Sequence, residues 1–206
     1  MKKFTVHSGV AAPLLRSNLD TDAIIPSVEM KQFSRKGLSG GLFAAWRYSD
    51  RINRVPDPDF ILNRPDYRDA SILLSGRNFG CGSSREHAVW ALVEYGFRAI
   101  IAESFGGIFR ANCIANGLLP ISMPEQIVLE LADFVIPNPP QRRLSIDLTQ
   151  RTVTAAPGQR YSFDIAKSDA EMLIEGLDPI SLTLRLDNNI RSFHEADRQR
   201  RPWVYL

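Results

Sequence analysis

The stretch from Ser71 to Ala102 constrains the fold more than any other part of the chain. Ser71-Ile72-Leu73-Leu74 and Ala99-Ile100-Ile101-Ala102 are short, nearly continuous apolar runs, the signature of strands buried on both faces. Glu86 to Tyr95 has helical spacing and lies between them. A strand, a loop, a helix and a second strand within about 30 residues make a βαβ unit, so the two strands are expected to be parallel. A further helix is expected over Gly107 to Asn116, ended by Gly117. The chain therefore reads as α/β.

The flanks are less regular. Residues 1–16 read as a strand or two with a break from Gly9 to Pro13, followed by the polar turn Ser17 to Asp22 and then Ala23-Ile24-Ile25-Pro26. From Ser27 to Asp69 the pattern is irregular and rich in cations: Lys31, Arg35, Lys36, Arg47, Arg51, Arg54, Arg64 and Arg68. An irregular stretch this long inside a domain is more often functional than idle. Leu144 to Leu148 and Thr152-Val153-Thr154 alternate as a hairpin, and Tyr161 to Ile165 suits a third strand. Helices are expected from Ser168 to Gly176 and from Asp187 to Gln199.

Composition narrows the class of function. The 206 residues, 44% hydrophobic and 23% charged, suit one globular domain and exclude disordered and coiled-coil readings. A formal net charge of +2 gives no reason to expect a nucleic acid partner. No apolar run reaches the roughly 18 residues of a membrane span, so no membrane partner is expected. Met1-Lys2-Lys3-Phe4-Thr5-Val6 lacks the apolar stretch of a signal peptide. With Cys81 and Cys113 as the two cysteines, a reducing cytoplasm is the expected location. Two thiols are also too few for an iron–sulfur cluster, which takes about four, and no metal site is expected on this chain.

Chemistry concentrates in Gly76-Arg77-Asn78-Phe79-Gly80-Cys81-Gly82-Ser83-Ser84-Arg85-Glu86-His87-Ala88. This segment follows a strand and opens a helix, where open α/β folds place ligands. Gly80 and Gly82 permit tight backbone paths, and a helix N-terminus offers free N–H groups to an anion. Arg77 and Arg85 flank that point with guanidinium forks suited to a carboxylate. Two readings compete for Ser83. It reads either as the N-cap of a capping box closed by Glu86, or as part of a pocket for a small carboxylate. The paired arginines, the glycines and the second serine favour the pocket. His87 reads as packed support, and Cys81 as a small loop residue rather than a reactive thiol. The dinucleotide fingerprint, the Walker A sequence and the Gly-x-Ser-x-Gly elbow are all absent.

Two further clusters stand out. In Asn18-Leu19-Asp20-Thr21-Asp22, the acids either cap the turn or fix a substrate-facing arginine. Gly106-Gly107-Ile108-Phe109-Arg110 reads first as a glycine turn that opens a helix.

Taken in order, these clusters resemble the swivel domain of the aconitase superfamily, and within it the small-subunit family of bacterial 3-isopropylmalate dehydratases. The resemblance also rests on Phe43 to Tyr48, Tyr95-Gly96-Phe97, Ser104 to Phe109, Asn116 to Pro120 and Gly176 to Leu184, and so covers nearly the whole chain. It implies a three-layer β/β/α, aconitase-like swivel domain over residues 1–206. A substrate-facing loop would span about 27–69, and a C-terminal helical extension about 187–206. It implies a hydro-lyase subunit of leucine biosynthesis, active only with a large subunit that carries a 4Fe–4S cluster, as a heterodimer or higher assembly. The substrate it implies is a small hydroxy-diacid, 2-isopropylmalate, isomerised to 3-isopropylmalate by dehydration and rehydration. In such families the residue matching Ser83 is the alkoxide base, while those matching Ser84 and Arg85 support the oxyanion and a substrate carboxylate. Substrate contacts are expected from Arg85, Ser84, Gly82, Arg77, Met30 and Arg35, with Arg35 and Arg47 the candidates for a distal carboxylate.

One departure bears on the substrate. Ser27 to Ser34 contains an insertion relative to common bacterial members. Val28, Met30 and Phe33 suit an isopropyl group, whereas Glu29 or Arg35 suits something more polar. The rivals are another aconitase-type hydro-lyase, of the homoaconitate, citraconate or methylmalate type, and a stand-alone carboxylate-binding module.

Overall fold

The computed structural model describes residues 1–30, 36–82 and 85–205. From the N-terminus, β1 (Val6–Leu14) leads through a polar turn to the one-turn helix α1 (Thr21–Ile24). Among the described residues of 27–69 there are short 3-10 turns, the one-turn helix α2 (Ala44–Arg47), and a ribbon of β2 (Tyr48–Asp50) and β3 (Val55–Pro56). The regular part follows as β4 (Ala70–Ser75), α3 (Glu86–Tyr95), β5 (Ala99–Ala102), α4 (Gly107–Asn116), β6 (Leu119–Ser122) and α5 (Glu125–Val135). A meander of β7 (Leu144–Asp147), β8 (Thr152–Thr154) and β9 (Arg160–Ser162) precedes α6 (Lys167–Glu175), α7 (Pro179–Leu184) and α8 (Asp187–Arg200).

Seven strands form one mixed sheet in the order β6-β5-β4-β1-β7-β8-β9. The run β1, β4, β5, β6 is parallel, as the βαβ reading requires, and β7 to β9 add an antiparallel half. The expected α/β class is the one observed.

The break expected between Gly9 and Pro13 does not occur. β1 runs through it because the strand changes partners midway: Val6 to Gly9 pair antiparallel with β7, and Val10 to Leu14 pair parallel with β4. No residue of β1 pairs with both neighbours, so the N–H that Pro13 lacks is less missed than in a doubly paired strand. Gly9 is there for space: a β-carbon at that position would lie 2.0 Å from Ser71 Oγ, which is itself 2.8 Å from His7 Nε2.

Side chains alternate across the sheet into two cores. Ala12, Leu14, Leu73, Ile100 and Ala102 face α3 and the segment carrying Leu38, Leu42, Phe43 and Phe60. Ala11, Ile72, Leu74, Ala99 and Ile101 face α5 and the meander. Each fully buried Leu or Ile contributes about 1.5–3 kcal/mol. This double burial holds the C-terminal ends of β1, β4 and β5 as a rigid rim.

Two elements went unanticipated between Gly117 and Leu144. β6 is interrupted in sequence by Pro120, which is tolerated because β6 is the sheet's edge. α5 buries Val128, Leu131, Ala132 and Val135 at helical spacing. α7 was also unanticipated, although Asp178 caps it through Ser181 N at 2.6 Å and Pro179 opens its first turn. β9 is shorter than expected, since Phe163 and Ile165 leave the ladder to enter the core.

Candidate active site

Three loops meet at the C-terminal ends of the parallel strands. The loop after β4 lies between the other two, held on both sides by backbone bonds. Towards β1, Asn18 N donates to Arg77 O (2.7 Å), Gly80 N to Leu19 O (2.7 Å) and Thr21 N to Cys81 O (3.1 Å). Towards β5, Phe79 N donates to Ser104 O, and Gly106 N donates to Phe79 O, both at 2.9 Å. Ser104 Oγ accepts from Asn78 N at 2.9 Å. Phe79 anchors the loop in the core, edge-on to Phe105 and Phe109.

Gly80 fills a place that no other residue fits. Its φ is +72°, and a β-carbon there would lie 2.1 Å from Cγ of the buried Phe109 ring. Gly80→Ala is expected to cost about 3 kcal/mol from strain and overpacking together. A thermal melt should then move down by roughly 6–12 °C for a chain of this size. An unchanged melt would show that the loop is not pinned there. Gly82 differs, because φ is +86° but a β-carbon would meet only Asp20 Cβ at 3.5 Å, so its backbone conformation is the constraint.

The two acids of the β1 loop divide the roles between which the sequence left them. Asp20 caps α1, its carboxylate accepting from Ala23 N at 2.7 Å. Asp22 instead pairs with Arg85, Oδ1 accepting from Nη1. Arg85 is the N-cap of α3 and gives no side-chain cap bond to the helix. Arg85 thus stands at the N-terminus of α3, the end of a helix that favours an anion.

This corrects the capping-box reading. Glu86 is the first residue of α3, not its third, and its carboxylate accepts from Asn116 Nδ2 at 2.8 Å. Asn116 Oδ1 in turn accepts from Trp90 Nε1 at 3.1 Å, which ties the start of α3 to the end of α4. His87 packs beside Trp90, ring centroids 4.8 Å apart, as expected of a supporting residue. Ser83, Ser84 and Arg35 lie outside the described residues. Gly82 and Arg85, which bracket the two serines in sequence, are at the α3 terminus. Arg77 is in the same loop and exposed. Met30 lies after the 3-10 turn Ser27–Glu29, half-buried against the core, and no described contact brings it to Arg85.

Two polar residues of the 27–69 segment have partners within the chain. Arg47 donates from Nη1 to Ser39 O at 2.7 Å and packs its guanidinium against the Tyr48 and Tyr95 rings, while its buried Nε has no hydrogen-bond partner among the described residues. Glu29 is paired with Arg54, which also donates to Gly40 O at 3.0 Å.

Sequence reasoning missed Glu94. On the last turn of α3, its carboxylate accepts three backbone bonds, from Gly37 N (2.6 Å), Leu38 N (2.5 Å) and Ser39 N (2.8 Å). A carboxylate at a helix C-terminus opposes the macrodipole, and that mismatch was the available signal. Burial pushes this carboxyl up, but the N–H groups of Gly37, Ser39 and Leu38, with Lys36, outweigh it and hold it below the ordinary glutamate value of 4.5. A lowered carboxylate pKa stabilises above its unfolded value, and that contribution is lost as pH falls below 4.5 through the folded value. Glu94→Gln should lower stability at neutral pH by about 1 kcal/mol, the low end for charge-assisted bonds because the site is open to water. The gap between wild type and variant should close on acidification. Equal melts at pH 7 would contradict the anchor.

Cys113 is fully buried, and burial pushes its thiol well above the usual range, although Arg110 pulls the other way. Among the described residues, no three His, Cys, Asp or Glu side chains come together as a cation site. Nor is any helix among them long and apolar enough to cross a membrane.

Comparison with known proteins agrees with this architecture. The family model described as the aconitase C-terminal domain matches residues 1–126, more than half of the chain, so the class is that of aconitase-type C-terminal domains. A 3-isopropylmalate dehydratase small subunit from Cupriavidus necator is 58% identical over 206 residues, covering 100% of this chain and 99% of that one. Small subunits of the same name from Neisseria gonorrhoeae and Methylibium petroleiphilum are 49% and 48% identical, covering 100% and 99% of this chain and 99% and 97% of theirs. The chain belongs to the 3-isopropylmalate dehydratase small-subunit family. The crystal structure of a 3-isopropylmalate dehydratase from Methanocaldococcus jannaschii superposes with a TM-score of 0.64 at 26% identity, covering 92% of this chain and 99% of that one.

Proposed function

We propose that this chain joins a separate large subunit to form a hydro-lyase that isomerises 2-isopropylmalate to 3-isopropylmalate in leucine biosynthesis, in the cytoplasm. The observation that carries the reading is the Asp22–Arg85 pair at the N-terminus of α3, beside the loop wedged between the β1 and β5 loops. That arrangement sets a guanidinium fork at a helix N-terminus, where a carboxylate-bearing substrate would sit. The names of the relatives support the same reaction.

Ser83 would take the carbon-bound proton as an alkoxide and return it on rehydration. Ser84 and Arg85 would support that oxyanion and a substrate carboxylate, with Gly82, Arg77, Met30 and Arg35 completing the contacts. The electron pair of the broken C–H bond forms the double bond as the C–OH bond breaks. A 4Fe–4S cluster on the large subunit would supply Lewis-acid chemistry for the departing hydroxyl. Residues 27–69 would face the substrate from one domain that ends in a C-terminal extension. With Glu29 engaged by Arg54, Val28 and Met30 are the described side chains left near that turn for the variable group, and both are apolar. This favours an isopropyl substituent over a more polar one. Steady-state turnover of 3-isopropylmalate against citrate, homocitrate and methylmalates checks it: a preference of at least about tenfold for 3-isopropylmalate is expected. Equal or better turnover of a polar diacid would overturn the substrate.

A further inference from the structure

Six large apolar side chains near the end of the chain are exposed. Ile180, Leu184, Leu186, Phe193, Trp203 and Val204 are 55–72% exposed. Ile180 and Leu184 share one face of α7, four residues apart. In α8 the one buried residue is Asp197, and the helix packs chiefly on the turn Pro202–Val204 that follows it. That turn is clasped back by a built network. Asp197 accepts from Arg201 Nε (2.7 Å), Arg201 Nη2 (2.8 Å) and Tyr205 Oη (2.7 Å). The clasp costs ordered side chains, yet it leaves Trp203 and Val204 facing outwards.

A helix of 14 residues is close to the limit of stability when it packs on little else, and exposed apolar clusters of this kind mark binding surfaces. What covers it follows from charge and from the comparisons. From Arg185 to Tyr205 there are five arginines against three acids. Arg198 and Arg200 have no acidic partner among the described residues, and Arg198 stacks on Tyr205 instead. A second copy of the chain would set these cations against one another, whereas an acidic surface would match them. The aconitase-domain match ends at residue 126, but the small-subunit relatives align over the full length. The arm thus lies beyond the aconitase-domain match and within the length aligned to these small subunits.

We propose that α7, α8 and the turn after them form a docking arm for the large subunit, entering an apolar groove rimmed with acidic side chains. This rests on the small-subunit reading above. Phe193 and Trp203 are the anchors, as aromatic residues commonly are, and Arg198 and Arg200 steer the encounter.

The test uses the full chain and the large subunit from the same cell, with association followed by sedimentation or by titration of activity. Phe193→Asp with Trp203→Asp should weaken association by about 30-fold or more. Arg198→Glu with Arg200→Glu should slow association by about tenfold and flatten its salt dependence. The melt of the isolated chain should barely move, and kcat should recover at saturating large subunit. Unaltered affinity in both double variants, with a normal wild-type complex, would overturn the arm alone. A defect confined to self-association of the isolated chain would assign the surface to a second copy and overturn the proposal. A wild-type chain that binds no large subunit would overturn the small-subunit reading along with the arm.

Discussion

Ser83→Ala should lower kcat of the assembled enzyme by about 100- to 10,000-fold, the span that a positioned proton-transfer group contributes. KM and subunit association should change little. A serine hydroxyl does not ionise unaided near pH 7, so the base needs an environment that favours the anion. Two elements of that environment are in place next to it in the chain. α3 starts at Glu86, three residues after Ser83 in the chain. Arg85, between Ser83–Ser84 and that helix, is held by Asp22. A helix N-terminus and a guanidinium each stabilise a nearby oxyanion, more strongly once a subunit interface excludes water. Arg85 itself occupies the cap position of that helix. A Ser83→Ala enzyme retaining more than about a tenth of the turnover would show that the proton goes elsewhere.

The second large effect is expected at Arg85. Arg85→Lys keeps the charge and loses the planar fork, so one ammonium cannot hold both Asp22 and a substrate carboxylate in fixed geometry. A loss of about 100-fold in kcat/KM is expected, comparable with removing one preorganised oxyanion donor. Asp22→Asn leaves the fork but removes the anion that aims it, and about tenfold is expected, with the larger part in KM. Asp22 is exposed and α1 is capped by Asp20, so the folded chain should melt normally. If Arg85→Lys behaved like wild type, the guanidinium would be an ordinary surface charge. If Asp22→Asn were more damaging than Arg85→Lys, the aspartate would be acting directly on substrate.

The parallel core was legible because its signals are local and strong. The apolar runs at Ile72 to Leu74 and Ala99 to Ala102, and the helix between them, reappear with nearly the expected bounds. What failed depended on neighbours in space. Gly9 and Pro13 look like a break until β1 is seen to change partners between them. Pro120 hides β6 until the strand is known to be an edge. The capping box misplaces the helix start by two residues: Glu86 opens α3, and its carboxylate accepts from Asn116, 30 positions away. α5 is the reverse case: Val128, Leu131, Ala132 and Val135 carry a plain helical period that was open to reading. At the site, the alternative that the acids fix an arginine is realised by Asp22, while Asp20 keeps the capping role. The partners of Arg47 and Glu29 were not legible, because a side chain's contacts across a long irregular segment leave no mark in the sequence.

The central claim is that this chain completes a hydro-lyase site it cannot form alone. The most direct measurement is an anaerobic assay with 3-isopropylmalate, following ultraviolet absorbance of the unsaturated intermediate. It compares this chain alone, the cluster-bearing large subunit alone, and the two mixed. Turnover in the mixture, absent from either chain by itself and lost with Ser83→Ala, is the predicted result. Silence in the mixture despite an intact cluster and a formed complex, or equal turnover by the large subunit alone, would contradict it.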